Sequence, residues 1–163
     1  EINWINYSPD KDLKRNKMQY TKEELSVLLN GTKPLQLAGH DLSKADLTEA
    51  DLSKADLSDA NLNGAFLDDA RLRYANLSKA NLEDASLRKT NLHGATLVEA
   101  DLRDVDFRGA DLSGAKLNNA NLSFANLTDA NLAGADLRGA KYNRYTQWPD
   151  GFELETAGVI MVK

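Results

Sequence analysis

From His40 to Gly139 the chain repeats itself every five residues, twenty times in succession and without an insertion. The third place of each block is apolar, running Leu42, Leu47, Leu52 and onward to Leu137. It is leucine in nineteen of twenty blocks, with Phe107 as the exception. A small residue opens the following block, from Ala45 to Ala140, and is alanine in eighteen of twenty; Thr90 and Val105 depart. Between the two stands Asp or Asn in fifteen of twenty blocks, and the remaining places are variable and mostly polar.

A period of five suits neither regular element. On an α-helix, leucines five apart step round by about 140° and form no stripe. On a straight strand an odd spacing sends successive leucines to opposite faces. Within one block, however, Ala stands two residues before Leu, which puts the pair on one side of a short extended segment. All pairs share one interior only if the chain turns a corner after each block. The chain must therefore coil, and coils stack into a parallel solenoid. One coil cannot stand alone, because its few leucines do not offset the entropy of ordering its backbone; stability comes from neighbours. Asp and Asn fit the corners, where their short side chains bond local backbone. The glycine- and aspartate-rich calcium nonapeptide is absent, so the acidic places read as architecture and not as a metal ladder.

Blocks such as ADLTE, ADLSK, ADLSD and ANLNG resemble the pentapeptide repeat protein family. The resemblance implies an all-β solenoid: a right-handed quadrilateral parallel β-helix, four blocks to a coil, with Leu and the preceding Ala inside. Twenty blocks then make about five coils, about 24 Å tall at the spacing of neighbouring strands.

Both ends need covering, since open strand edges invite association. Thr21-Lys22-Glu23-Glu24 is a capping box; Leu25, Leu28 and Leu29 follow on one face, and Asn30-Gly31 is a stop. These predict a helix over residues 21–30, laid over the first coil. Downstream the pattern fades at Ala140-Lys141-Tyr142. The tail carries Trp148, Phe152 and an apolar run from Val159 to Val162, resembles the tails of cyanobacterial family members, and reads as a second cap. The expected organisation is an N-terminal arm and capping helix over 1–34, the repeat β-helix over 35–144 and a C-terminal cap over 145–163. Residues 1–20 scatter Trp4, Ile5, Tyr7, Leu13, Met18 and Tyr20 among Lys11, Lys14, Arg15 and Lys17. They extend the cap or form a docking arm. Some family members pair through their last coils, often with Phe at the central place near the junction. Phe107 lies well inside the repeat, so a monomer is expected rather than a dimer.

Composition narrows the function. There are 25 acidic and 20 basic residues, a net charge of −5 from mixed signs. That balance argues against direct nucleic-acid binding, which needs a basic footprint. No apolar run is long enough for a membrane-spanning helix, and cysteine is absent. With only His40 and His93, and without a phosphate-binding glycine loop, zinc spacing or nucleophile elbow, neither an enzyme, a cofactor nor a small-molecule substrate is expected. Without a visible leader the expected compartment is the cytoplasm, or the periplasm or thylakoid lumen if a signal peptide was removed before Glu1.

The expected function is a non-enzymatic interaction module that presents rigid faces to a protein partner. Its candidate contacts are the outward aromatics Phe66, Tyr74 and Phe124 and the arginines Arg71, Arg73, Arg88 and Arg108. Arg71, Arg73 and Tyr74 form a local basic-aromatic cluster. With four blocks per coil, Arg88 stacks over Arg108, Glu83 beside Arg103 and Asp69 beside Lys89. The alternative implied by the resemblance is a DNA mimic that binds DNA gyrase. Duplex DNA of the tower's height carries about 14 charges, whereas the blocks hold 17 acidic and 11 basic residues. Ice binding would need a flat threonine ladder, but Asp68, Arg88 and Arg108 separate Thr48 from Thr128.

Overall fold

The computed structural model describes residues 20–163, so the N-terminal arm falls, up to residue 19, outside the described residues. The named elements are few: α1 (Lys22–Leu29), β1 (Lys141–Tyr142), α2 (Leu154–Ala157) and β2 (Ile160–Met161), with β1 and β2 parallel. Between α1 and β1 the repeat is held by parallel bridges at one residue per block, Asp41 to Asn61, Asp46 to Phe66, Asp51 to Arg71, Asp56 to Asn76 and onward. The partners stand 20 residues apart, so four blocks close one coil. A corner every five residues leaves no room for a longer ladder segment, which is why continuous strands do not develop.

The block Asn61–Ala65 shows where every backbone N–H goes. Asn61 donates to His40 O at 2.9 Å in the coil before, while Leu62 and Gly64 donate to Asn81 O at 2.7 Å and Glu83 O at 2.8 Å in the coil after. Ala65 closes the corner on Leu62 O at 3.0 Å. The one donor left, Asn63 N–H, is taken by the Asn61 side-chain carbonyl at 3.3 Å. All fifteen Asp and Asn residues at this place accept from the amide two residues on. A buried or half-buried amide without an acceptor is costly, and this side chain is the length that reaches it.

The corners also share a backbone conformation. The residue two beyond each central Leu has φ between 55° and 75°, from Gly39 to Gly139. Positive φ at that place and an i to i+3 bond give a corner of the type II kind. Fourteen of these positions are not glycine, so the stacked bonds of the coil hold side chains in a region that costs each of them about 1–2 kcal/mol.

Inside, Leu35, the central leucines from Leu37 to Leu127 and the alanines from Ala55 to Ala130 are buried. Phe107 occupies a leucine place and is fully buried. Thr90 replaces Ala, and its hydroxyl donates to Leu67 O at 2.6 Å, so the extra polar atom is satisfied.

At the N-terminal end α1 forms where the capping box places it. Thr21 Oγ1 accepts from Glu24 N–H at 3.1 Å, and Glu24 Oε2 accepts from Thr21 N–H at 2.9 Å. Leu25 is buried, and Leu28 and Leu29 pack half-buried against the core. At the other end the register gains one residue, Asn126 pairing with Gln147. Asn143 absorbs the insertion by accepting from both Phe124 N–H and Tyr145 N–H at 3.1 Å. Trp148 stacks on Phe152 at 5.0 Å and meets the Tyr142 ring edge-on at 5.7 Å. Trp148, Phe152, Ala157 and Val159 lie half-buried against the core.

Two outcomes follow from the corners. Lys79 is exposed with φ 60°. Lys79→Gly relieves that conformation at some cost in chain entropy, and is expected to stabilise by about 0.5–1 kcal/mol, read as a raised urea midpoint. The Ser58 hydroxyl and amide hold the Asp56 carboxyl below its ordinary value, and the Arg108 guanidinium does the same for Asp106. Depressed carboxylates stabilise above the unfolded value of 3.8 and lose that contribution as pH falls through their folded values. The thermal midpoint is therefore expected to stay level from pH 7 to about pH 5 and to drop below about pH 4. A midpoint unchanged at pH 3 would contradict this reading.

Candidate interaction surface

Residues 20 apart share a column, so the tower has four faces, each closed by a corner. Asp41, Asp46 and Asp51 begin the second, third and fourth faces, and Gln36 begins the first. The first, third and fourth faces with their corners each carry three cations and the second carries two, whereas the carboxylates number four, five, six and two in turn. The fourth is the one face of the repeat on which cations prevail, Lys54, Arg71 and Arg73 standing against Asp51 and Asp111.

The structure divides the sequence-predicted residues among three places. Arg71, Arg73 and Tyr74 come together on the fourth face and its corner. Phe66, Arg88 and Arg108 share the third face. Phe124 lies at the corner closing the second face, stacked on Tyr145 at 5.3 Å, with Arg144 over the Tyr145 ring at 5.1 Å. The seven residues therefore do not form one surface. Phe66 stands 53% exposed in a place where most blocks carry Asp or Asn.

The arginines differ in what holds them. Arg108 folds its Nε and terminal nitrogen onto Asp106 at 2.9 and 2.6 Å, two residues back in its own block. Arg103 does the same with Asp101 and also reaches Glu83 at 3.0 Å. Arg138 repeats the fork on Asp136. Arg88 follows Ser86, which has no carboxylate, and forks instead onto Asp68 of the coil before. Burial works against ionisation of Asp68, yet the Arg88 fork and the Ser86 hydroxyl bring its carboxyl below the ordinary range. Arg88 and Arg108 do stack in one column, but their charge is spent on Asp68 and Asp106. They form no open basic patch. Glu83 and Arg103 pair as their column predicts, whereas Asp69 and Lys89 share a column without an ion pair among the described residues.

Arg71 and Arg73 lack such partners because Arg71 occupies the place of the carboxylate. Among the described residues Arg71 reaches only Asp51, at 3.9 Å, with its side chain 63% exposed. Arg73 lies over the Tyr74 ring at 5.7 Å. The Tyr74 ring meets His93 edge-on at 5.4 Å and rests on the next corner of its column, Gly94. His93 in turn shares a hydrogen bond with Ser113 Oγ at 2.9 Å. Arg144 and Tyr145 are not among the sequence-predicted contacts, and Asp68 enters there only as a break in a threonine column. The signal was present in the blocks: Asp-Leu-Arg predicts a self-paired arginine, and Arg-Leu-Arg an unpaired one.

No group of three or more His, Asp and Glu suited to a metal occurs among the described residues. A concavity of about 780 Å³, open to solvent, lies between α1 and the first coil among the described residues, lined by Tyr20, Leu25, Leu29, Lys44 and Asp46. None of the predicted contact residues lines it.

A Cβ on Gly94 would stand 2.6 Å from two atoms of the Tyr74 ring. Gly94→Ala is expected to cost about 1–3 kcal/mol, from overpacking and positive φ together. In the Tyr74→Ala background the cost is expected to fall toward the backbone part alone, a coupling that a double-mutant cycle in urea measures.

Known proteins share this five-residue repeat. The sequence model of the pentapeptide repeats, in eight copies, matches residues 36–64, 65–104 and 106–141. No curated protein matches the chain. Among solved structures, a pentapeptide repeat protein of the Arabidopsis thaliana thylakoid lumen is 33% identical over 66% of this chain and 68% of its own, with a TM-score of 0.44. HetL of the cyanobacterium Nostoc, a pentapeptide repeat protein involved in heterocyst differentiation regulation, is 30% identical over 78% of this chain and 68% of its own, with a TM-score of 0.43. A second Nostoc pentapeptide repeat protein is 32% identical over 91% of this chain and all of its own, with a TM-score of 0.31. With the repeat model covering more than half of its length and its ladder closing every four blocks, the chain belongs to the pentapeptide repeat family, whose members form right-handed quadrilateral β-helices.

Proposed function

We propose that the chain is a non-enzymatic interaction module of about five coils, ended by α1 and by the C-terminal tail, that offers its fourth face to a protein partner. The observation that carries this reading is the pair of arginines, Arg71 and Arg73, left without a carboxylate fork beside the exposed Tyr74. Every other arginine of the repeat is folded onto an acid. Aromatic and arginine side chains are the types enriched where interfaces concentrate their energy. The coil holds them on a backbone bonded above and below, so a partner meets a preformed surface and little ordering cost is left to bind.

The alternative, a DNA mimic directed at DNA gyrase, draws on the third face, where six carboxylates outnumber three cations. Asp68 and Asp106 are already neutralised there by Arg88 and Arg108, which lowers the density that such mimicry needs.

A pull-down from a lysate of the encoding organism separates the readings. The intact chain is compared with Arg71→Glu/Arg73→Glu and with a chain lacking residues 1–19. A partner lost with the double substitution and kept by the shortened chain is the expected outcome. A partner lost only on shortening moves the function to the N-terminal arm, and capture of gyrase by all three forms favours mimicry.

A further inference from the structure

Of the five blocks that give up Asp or Asn, the Arg71 block is the one that sets a cation in that place and another two residues on. The corner carbonyl that would take the Arg73 amide is gone, and a second cation stands next to the first. At Ser86 the loss is compensated, because Asp68 accepts from the Arg88 amide at 3.0 Å and from its guanidinium. At Arg71 no described side chain makes that repair, nor at Phe66, Thr96 and Lys116, but only at Arg71 does a second cation follow two residues on. A local rule broken without compensation marks a place used for something other than stability.

The geometry of the pair defines what fits it. Arg71 stands on the bridge and Arg73 opens the turn two residues on, and the forks of Arg103, Arg108 and Arg138 onto the acids two residues back show that these two places project to the same side, with origins about 7 Å apart. An extended peptide places side chains two residues apart at the same interval and on the same side. Two carboxylates at that spacing would each accept a guanidinium, the geometry that arginine serves with paired donors. Next along the chain, Tyr74 offers an exposed ring turned over the corner, 53% accessible, with the side-chain-free corners Gly94, Gly114 and Gly134 above it in the same column. An apolar residue following the acids would meet that ring. The flanking carboxylates, Asp51 one coil before Arg71 and Asp111 two coils after it, limit how far an acidic segment extends along the column.

We infer that the fourth face docks an extended acidic segment of a partner protein, with two Asp or Glu residues two positions apart followed by an apolar residue. This rests on the interaction reading above and adds the chemistry of the partner. A nucleic acid fits less well: a polyanion longer than the patch would run onto Asp51, Asp111 and three faces on which acids prevail.

The test uses the full chain and a fluorescein-labelled peptide, Gly-Ser-Glu-Val-Glu-Phe-Ser-Gly, followed by anisotropy at low salt. The same peptide with both Glu replaced by Gln, its phosphoserine counterpart and a labelled oligouridylate serve as comparison probes. Arg71→Gln/Arg73→Gln is set against Arg103→Gln/Arg138→Gln, which removes the same charge from other faces. The expected result is binding of the Glu peptide about tenfold or more tighter than the Gln peptide. A similar loss is expected in Arg71→Gln/Arg73→Gln and none in Arg103→Gln/Arg138→Gln. Equal loss in the two variants reduces the effect to net charge and overturns the proposal. Tighter binding of the oligouridylate or of the phosphoserine peptide overturns it in favour of that ligand. If no peptide binds while the lysate partner is still lost with Arg71→Glu/Arg73→Glu, the acidic segment is wrong and the interaction face stands. If the peptide binds as expected and no partner is lost, the patch is an acid-binding surface and the interaction reading fails.

Discussion

One N–H per block has no place in the stacking of the coils. Four of the five amides in Asn61–Ala65 are bonded by neighbouring coils or by the turn, and the fifth depends on the side chain of Asn61. Everything else in the repeat follows from serving that amide. In fifteen of twenty blocks an Asp or Asn before the central Leu does so, its side-chain oxygen reaching forward along the chain to the corner amide. The next residue but one beyond Leu must take positive φ so that the following block starts on a new face. The same arrangement explains why the corners carry Lys, Glu and Tyr as readily as Gly. Bonds from the coil after, such as Lys44 N–H to Asn63 O at 2.9 Å, hold the corner whatever side chain it bears.

This division of labour leaves the outward side chains without structural duties, apart from the Asp and Asn that bond the corners. Arginine two residues after an Asp falls onto it, as Arg103, Arg108 and Arg138 do. Exposed pairs of this kind add little stability, but they remove cations from the surface. Net charge is therefore a poor description of the tower. Its third face is acidic yet partly neutralised, and its fourth is the face on which cations outnumber carboxylates. A surface built this way changes its charge pattern by single substitutions at the Asp/Asn place, at the cost of one corner bond each.

The ends obey different physics. At the N-terminal end a helix with its own capping box lays Leu25 against the core, which needs only an amphipathic stripe and not the five-residue rhythm. At the C-terminal end one extra residue is accommodated by Asn143, and the aromatic group of Tyr142, Trp148 and Phe152 packs where the pattern of Leu and Ala stops.

The sequence by itself determined the coil: a strict five-residue period, Ala two before Leu, and Asp or Asn between them leave no other way to bury the leucines together. It also located α1 by the capping box at Thr21 and named Arg71, Arg73 and Tyr74 as neighbours, because contacts within a block or a helical turn are local. What the tertiary structure decided was partnership across coils and faces. Phe66 and Phe124 are separated from the cluster because successive corners send them to other sides. Arg88 is silenced by Asp68 and Tyr74 is seated on Gly94, because stacking brings residues 20 apart into contact at about 4.8 Å. The period alone states which columns exist. Which side chains in a column reach one another depends on rotamer, length and burial, and these are settled only when the coils are stacked.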